Sequence, residues 1–564
     1  MAFSFRPERV RAVEFKCRVR QVGVLAQPHM PDTETNFEQT RAFITKSWDT
    51  LTRTLTRSET YGDPKTDAPE PILYLPADLP EPAAIEHLQK RCRISVRRLP
   101  RAITTPDTVN LHAIPNEGLL YLEHPYIVPG GQFNEMYGWD SYFIILGLLR
   151  DSRIAMAKGM VENFFFELDH YGSILNANRT YYLTRSQPPF LTSMVLALFE
   201  ADKSSGGLDL EWLRRGFHYA VRDYEHWTAL PHLAGDTGLS RYFDHGDGPV
   251  PEIMGNPHDY YRGVAHFFMI HDKHMGDESR QLIRLKGDEP AAPTIGPVFP
   301  FFGEDKASPD GASQRNDEEE ENVHHLALHA DFYKGDRSMR ESGFDVSFRF
   351  GSFSGRTHHF APVCLNALLY KTELDLAAMC GILGQSEQSA EWLAKAAHRR
   401  FLMDKYLWNE QRGLYFDYDA TKQAPSEYEF AATFYPLWVG AASPAQAARV
   451  AQNLSMFEQP GGLAMSTRES EAQWDFPYGW APIQLIAVEG LRRYAYHVEA
   501  ARISDNFLTM VVQNFEKDHT IREKYNVVTR SSATRIRVGY SQNEIGFGWT
   551  NGVFLELLAQ RSPW

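Results

Sequence analysis

The sequence predicts an all-α protein built as a toroid of paired helices, and three observations carry that expectation. Apolar residues recur with helical spacing along most of the chain, and aromatic-rich loops separate these stretches. No Gly/Ser-rich or Pro-rich linker divides the 564 residues into independent units. Many helices in one unbroken domain suit a toroid better than a small bundle.

In chain order, the first 118 residues read as an N-terminal extension that packs on a helical catalytic domain spanning residues 119–564. Residues 58–118 are rich in proline and turn residues, with short apolar runs at 72–75 and 119–122. Phe143, Ile144, Leu146, Leu148 and Leu149, then Ile154, Met156, Met160, Val161 and Phe164, predict two successive helices over 141–165. The same pattern predicts helices over 190–202, 209–228, 361–383, 386–403, 443–454, 478–495, 497–516 and 550–560. Residues 275–325 interrupt the rhythm with Pro290, Pro293, Pro297 and Pro300 and an acidic run at 317–321. That run lacks EF-hand spacing and reads as a solvated loop, followed by His324 and His325. The stretch Gly-Leu-Tyr-Phe-Asp-Tyr-Asp at 413–419 predicts a short hairpin arm.

Composition narrows the function. The formal net charge of −14 argues against a nucleic-acid partner. No window approaches the apolar length of a membrane span, and the N-terminus lacks the apolar stretch of a secretory signal. Cys17, Cys92, Cys364 and Cys380 stand far apart with no C-x-x-C pair, so reduced thiols in a cytoplasmic protein are expected, without cysteine-bound zinc. The aromatic content of 13% suits either a large helical core or a surface that stacks on sugars.

Three loops gather the unusual residues, and each runs into the start of a predicted helix. The first, residues 129–140, reads Pro-Gly-Gly-Gln-Phe-Asn-Glu-Met-Tyr-Gly-Trp-Asp. It sets Phe133, Tyr137 and Trp139 among Glu135 and Asp140, as core residues and a helix cap or as a stacking platform with hydrogen-bonding carboxylates. The second, residues 176–189, reads Asn-Ala-Asn-Arg-Thr-Tyr-Tyr-Leu-Thr-Arg-Ser-Gln-Pro-Pro, and the third, residues 473–482, reads Gln-Trp-Asp-Phe-Pro-Tyr-Gly-Trp-Ala-Pro. In a helical toroid such loops converge on one end, which makes a pocket.

These loops, with Gly-Phe-Gly-Trp-Thr-Asn-Gly at 546–552, resemble in order the signatures of the trehalases of glycoside hydrolase family 37, from about residue 119 to the C-terminus. The resemblance implies an (α/α)6 barrel that hydrolyses a small α-glucoside with inversion, using no metal or cofactor. An inverting reaction needs two carboxyl groups about 6.5–9.5 Å apart, one protonating the leaving oxygen and one activating water. Glu-Ser-Gly-Phe-Asp-Val-Ser-Phe-Arg at 341–349 matches the acid-bearing segment, which makes Asp345 the general acid. Glu-Lys-Tyr-Asn at 523–526 makes Glu523 the general base. Apolar neighbours would keep Asp345 protonated, and Arg349 would oppose this if it touched it. By the same resemblance Phe133, Tyr137, Trp139, Asp140, Asn176, Arg185, Gln187, Arg349 and Trp474 are substrate-binding candidates.

The departures bear on the substrate. Gln132 stands where the signature carries arginine, and Asn256 and His258 fall where the family has Arg-Pro-Glu-Ser-Tyr. The family's lid glutamate is replaced within residues 527–540, with Gly539 near its place and Glu544 a shifted substitute. That segment carries Arg530, Arg535 and Arg537, either lid-surface residues or partners for an anionic aglycone. The leading expectation is therefore an α,α-trehalase. The alternatives are a retuned hydrolase of glucosylglycerate or of a modified or phosphorylated disaccharide, and a catalytically silent sugar sensor. The oligomeric state is not legible in the sequence.

Overall fold

The computed structural model describes residues 33–65, 71–83, 85–204, 209–252, 257–271, 282–284, 326–540 and 542–561. Cys17, Asn256, the four prolines and acidic run of the 275–325 segment, His324, His325 and the His258 side chain lie outside them.

The described chain is mostly helical. The helices are α1 (Thr33–Leu51), α2 (Ile85–Cys92), α3 (Asp140–Arg150), α4 (Ile154–His170), α5 (Leu191–Ser204), α6 (Leu210–Thr228) and α7 (Pro257–His271). They continue with α8 (Ala330–Ser342), α9 (Val363–Ile382), α10 (Ser386–Tyr406), α11 (Tyr435–Trp438), α12 (Pro444–Gln452), α13 (Ala481–Arg493), α14 (His497–Asp518) and α15 (Gly548–Ala559). Every helix expected from apolar spacing is present to within a few residues of its ends. Helices α1, α2, α7, α8 and the short α11 were not expected. In α8 the buried face includes Asp336, Arg337, Ser338 and Glu341, so polar groups occupy the positions where an apolar stripe would announce a helix.

Packing separates inner from outer helices. Helix α3 contacts α5, α5 contacts α9, α9 contacts α11, α11 contacts α13, α13 contacts α15, and α15 returns to α3. Outside them α4 lies against α3 and α5, α6 against α5 and α9, α10 against α9, α14 against α13, and α1 against α14 and α15. The sequence follows this division. Helix α9 is buried over almost its whole circumference. Helix α6 instead buries one stripe, with Trp212, Leu213, Gly216, Phe217, Ala220, Tyr224 and Trp227 at i, i+3 and i+4 spacing. The Asp209 carboxylate starts α6 by accepting from the Glu211 and Trp212 amides at 3.1 and 3.0 Å.

The ring closes where α3 meets α15, and a glycine sets that distance. A Cβ added to Gly552 would sit 1.9 Å from the Phe143 carbonyl oxygen, a backbone atom that cannot move alone.

The described residues before 119 pack on this body. Phe37 of α1 stacks on Phe554 of α15 at 6.2 Å, and the Trp48 indole N–H donates to Asp151 at 2.8 Å. Strand Ile72–Leu75 pairs in parallel with Ser95–Arg98 and with Leu119–Leu120. The hairpin arm expected at 413–419 is two short strands, Leu414–Tyr415 on Trp408–Asn409 and Tyr418–Asp419 on Ala424–Pro425.

Gly552→Ala tests the closure. Forcing α3 and α15 apart is expected to destabilise the protein by about 3 kcal/mol or more, read as a lowered denaturation midpoint.

Candidate active site

The loops entering the inner helices surround one cavity of about 250 Å³. Asp140 is the first residue of α3 and lines the cavity. Gln187 lies just before α5, and its side-chain oxygen accepts from the Trp139 amide at 2.9 Å. Trp480 precedes α13 and is stacked on Trp474, rings parallel within 3° and 3.9 Å apart. Trp139 completes the wall with Trp549, 5.3 Å away.

Asp345 enters the cavity from the end of α8. Gly343 closes that helix with a left-handed φ of +75°, which turns the chain toward the Trp139 indole. The Asp345 side chain is 33% exposed and lines the cavity. Burial in the protein lifts its pKa to about 6, opposed by the Arg340 guanidinium 3.8 Å away.

Glu523 is almost fully buried and also lines the cavity. Its carboxylate accepts from Lys524 Nζ at 2.9 Å and from the Tyr540 hydroxyl. Burial drives the pKa of Asp140 well up, and the nearby charges of Glu523 and Asp345 add to it. Glu544 is raised to about 7, by burial first and by Glu523 second.

Asp345 and Glu523 are tied together through Gln473. Its side-chain N–H donates to the Asp345 carbonyl, while its side-chain oxygen accepts from Lys524 Nζ at 3.2 Å. The Trp474 amide donates to the Val346 carbonyl at 3.1 Å, and Asp475 accepts from the Phe348 amide at 2.8 Å. Strand Tyr478–Trp480 pairs antiparallel with Lys524–Asn526, placing Trp480 opposite Lys524.

Among the sequence candidates, Phe133, Tyr137, Trp139, Asp140, Asn176, Gln187, Asp345, Trp474 and Glu523 all line this cavity. Gln132 and Glu544 are bonded to each other rather than facing it. Arg185 is buried behind it, paired with the lining Glu252. Arg349 is a correction. It is 1% exposed and makes a two-pronged pair with Asp417 at 2.6 and 2.7 Å, with its guanidinium over Phe430, Phe350 and Phe344. It cannot meet a sugar, and the arginine beside Asp345 is Arg340. Glu135, grouped with Asp140 in the sequence, is instead fully buried. Despite the burial, Lys65 and Arg179 hold its carboxyl well below the usual range. Arg530, Arg535 and Arg537 do not line the cavity, and Arg537 pairs with the exposed Glu471.

Sequence reasoning missed Lys65, Glu252, Tyr260, Arg340 and Tyr540, all of which line the cavity. Arg340 directly precedes the quoted 341–349 segment, and Tyr540 ends the 527–540 segment, so their neighbours were a signal. Lys65 offered none, since it comes from the segment before residue 119.

Two carboxyl groups held at an aromatic-walled cavity of this size, on a helical body, belong to a glycoside hydrolase. The trehalase family model matches residues 23–562, and the chain belongs to the trehalase family. It is 34% identical to the cytosolic neutral trehalase of Emericella nidulans over 90% of this chain and 70% of that protein. The corresponding protein of Pyricularia oryzae is 36% identical over 90% and 72%. The solved neutral trehalase Nth1 of Saccharomyces cerevisiae superimposes with a TM-score of 0.73 at 32% identity, covering 93% of this chain and 94% of that one.

The Arg349 correction is testable. Arg349→Met strands the buried Asp417 carboxylate and is expected to cost on the order of 3–5 kcal/mol of stability, seen in denaturant melts. The KM of the folded fraction should stay unchanged; a selective rise in KM would return Arg349 to the sugar.

Proposed function

We propose that this chain hydrolyses α,α-trehalose to two glucose molecules with inversion, on an (α/α)6 barrel whose inner ring is α3, α5, α9, α11, α13 and α15. Asp345 is the general acid and Glu523 the general base. The observation that carries this reading is their presence in one cavity in opposite environments. Asp345 is a carboxyl whose pKa burial lifts to about 6, while Glu523 accepts from Lys524 Nζ and the Tyr540 hydroxyl. Asp345 gives its proton to the glycosidic oxygen as the C–O bond breaks. Glu523 takes a proton from the water that attacks the anomeric carbon from the opposite face. Exchange with solvent then restores both groups, and no cofactor enters.

The pairing of the cavity's cations favours a neutral disaccharide over an anionic glucoside. Asp140, Glu252, Asp345 and Glu523 line the cavity with Lys65 and Arg340. Both cations are already engaged, Lys65 by Glu135 at 2.8 Å and Arg340 by Asp336 at 3.3 Å. A carboxylate or phosphate on the substrate would have to displace a buried partner. Phe133, Tyr137 and the Trp139–Trp474 wall offer apolar faces to sugar rings, and Asn176, Gln187 and Asp140 offer hydrogen bonds.

Residues before 119 support the cavity through Lys65 while the catalytic groups come from the remainder. A cytoplasmic setting is supported by the curated relatives, which are cytosolic neutral trehalases, and by the free, buried thiols of Cys92, Cys364 and Cys380. No helix among the described residues is long and apolar enough to cross a membrane.

Purified protein is expected to cleave trehalose much faster than glucosylglycerate or trehalose phosphate; the reverse order would overturn the substrate assignment. Early in the reaction NMR should show one α- and one β-glucose per turnover, as inversion at one centre requires. Asp345→Asn and Glu523→Gln are each expected to lower kcat on the order of 10³-fold or more while the fold persists. The acid works when protonated, so kcat/KM should fall as pH rises through about 6. Arg340→Gln removes a charge that depresses the Asp345 pKa and should move this alkaline limb upward. A limb that stays in place would detach it from Asp345.

A further inference from the structure

Next to the cavity-lining Arg340, the fully buried Glu341 faces a cluster of three imidazoles. His226 lies in the last turn of α6, and His232 and His245 lie in the segment that follows it. Their ring nitrogens come within 4.8 Å of one another. The ring centres stand 4.4 Å apart for His226 and His232, 5.5 Å for His232 and His245, and 6.2 Å for His226 and His245. His232 is 1% exposed, and the Nε2 atoms of His226 and His232 have no hydrogen-bond partner among the described residues. Glu341 Oε2 stands 3.7 Å from His232 Nε2, and its described hydrogen bonds come from the Ser186 and Phe243 backbone N–H groups.

Buried polar nitrogens without partners are costly, and one cation at the centre would satisfy them. We propose that His226, His232 and His245 form a binding site for a late first-row divalent metal, with zinc the best match and Glu341 beside it, that fastens the 229–246 segment to α6 and α8. Three imidazole nitrogens are a three-ligand zinc set, and Glu341 Oε2 stands 3.7 Å from one of the rings. Zinc–nitrogen bonds of about 2.0–2.1 Å put tetrahedral neighbours roughly 3.4 Å apart. The rings therefore need to close by roughly 1.4 Å at most, which side-chain rotation supplies.

None of the three histidines lines the cavity, so the metal is structural and takes no part in glycoside cleavage. It acts on the site only by position, through Glu341 on α8, whose end delivers Asp345. A second cluster serves as an internal control. The two Asp331 oxygens each bond one imidazole nitrogen, of His358 and of His359, at 2.9 Å, so its donor atoms are already satisfied by one another.

The test uses the full chain, expressed with zinc and dialysed against metal-free buffer. Elemental analysis is expected to find one zinc per chain. A strong chelator should lower the melting temperature, and added Zn²⁺ should restore it. Co²⁺ in its place should give the visible absorption of a tetrahedral site. His232→Asn and His245→Asn should lose the metal and the Co²⁺ spectrum, whereas His359→Asn should keep both. Substoichiometric zinc together with no melting shift and no spectrum on adding either ion would overturn the proposal. Retention in His232→Asn with loss in His359→Asn would do the same. The wild-type Co²⁺ spectrum decides if a histidine variant does not fold. Hydrolysis plays no part in these readouts, so the proposal stands or falls separately from the trehalase mechanism.

Discussion

The buried amide of Gln473 is the constraint around which the catalytic cavity is organised. An inverting hydrolase needs two carboxyl groups held at a spacing that leaves room for a water, and a small error in that spacing is expensive in rate. Here Asp345 and Glu523, the proposed acid and base, come from segments far apart in the chain. Gln473 is 1% exposed and donates to the backbone of one while accepting from the lysine that contacts the other. The bonds from Trp474 and Asp475 to the acid loop, and the short ladder between Tyr478–Trp480 and Lys524–Asn526, repeat the same connection. One loop thus positions both reacting groups and then continues into α13 of the inner ring. Its indoles also form the cavity wall, so the platform for the sugar and the ruler for the carboxyls are one element.

The two carboxyls sit among different partners. Burial raises the Asp345 pKa to about 6 against the opposing charge of Arg340, which is 3.8 Å away and shared with Asp336. Glu523 instead receives Lys524 at hydrogen-bond distance, itself buried and 3.8 Å over the Tyr540 ring.

The aromatic excess resolves into the same two uses. Most rings fill the space between inner and outer helices. A smaller group, with the parallel Trp474 and Trp480 pair at its centre, gives the cavity a wall that needs no rearrangement to receive a sugar. Rigidity of that kind comes from packing on all sides, and the inner ring supplies it by closing α15 onto α3 at a glycine.

By itself the sequence determined the helical body, because helix formation follows local apolar spacing, and the loops that hold the catalytic pair, because their residue order is distinctive. It also contained every residue of the cavity wall named from the motifs. Helix α8 stayed hidden because its buried face is polar, held by ion pairs that no periodicity reports. Lys65, Glu252 and Arg340 stayed hidden for a related reason: a charged residue reads as surface until the fold supplies its partner. Arg349 is the clearest case. Its place beside the acid in the chain suggested contact with Asp345, but the tertiary structure gave it to Asp417 and seated Arg340 in its stead. Which charges meet is a property of three-dimensional proximity, and in a buried site the cost of leaving any one unpaired decides the arrangement.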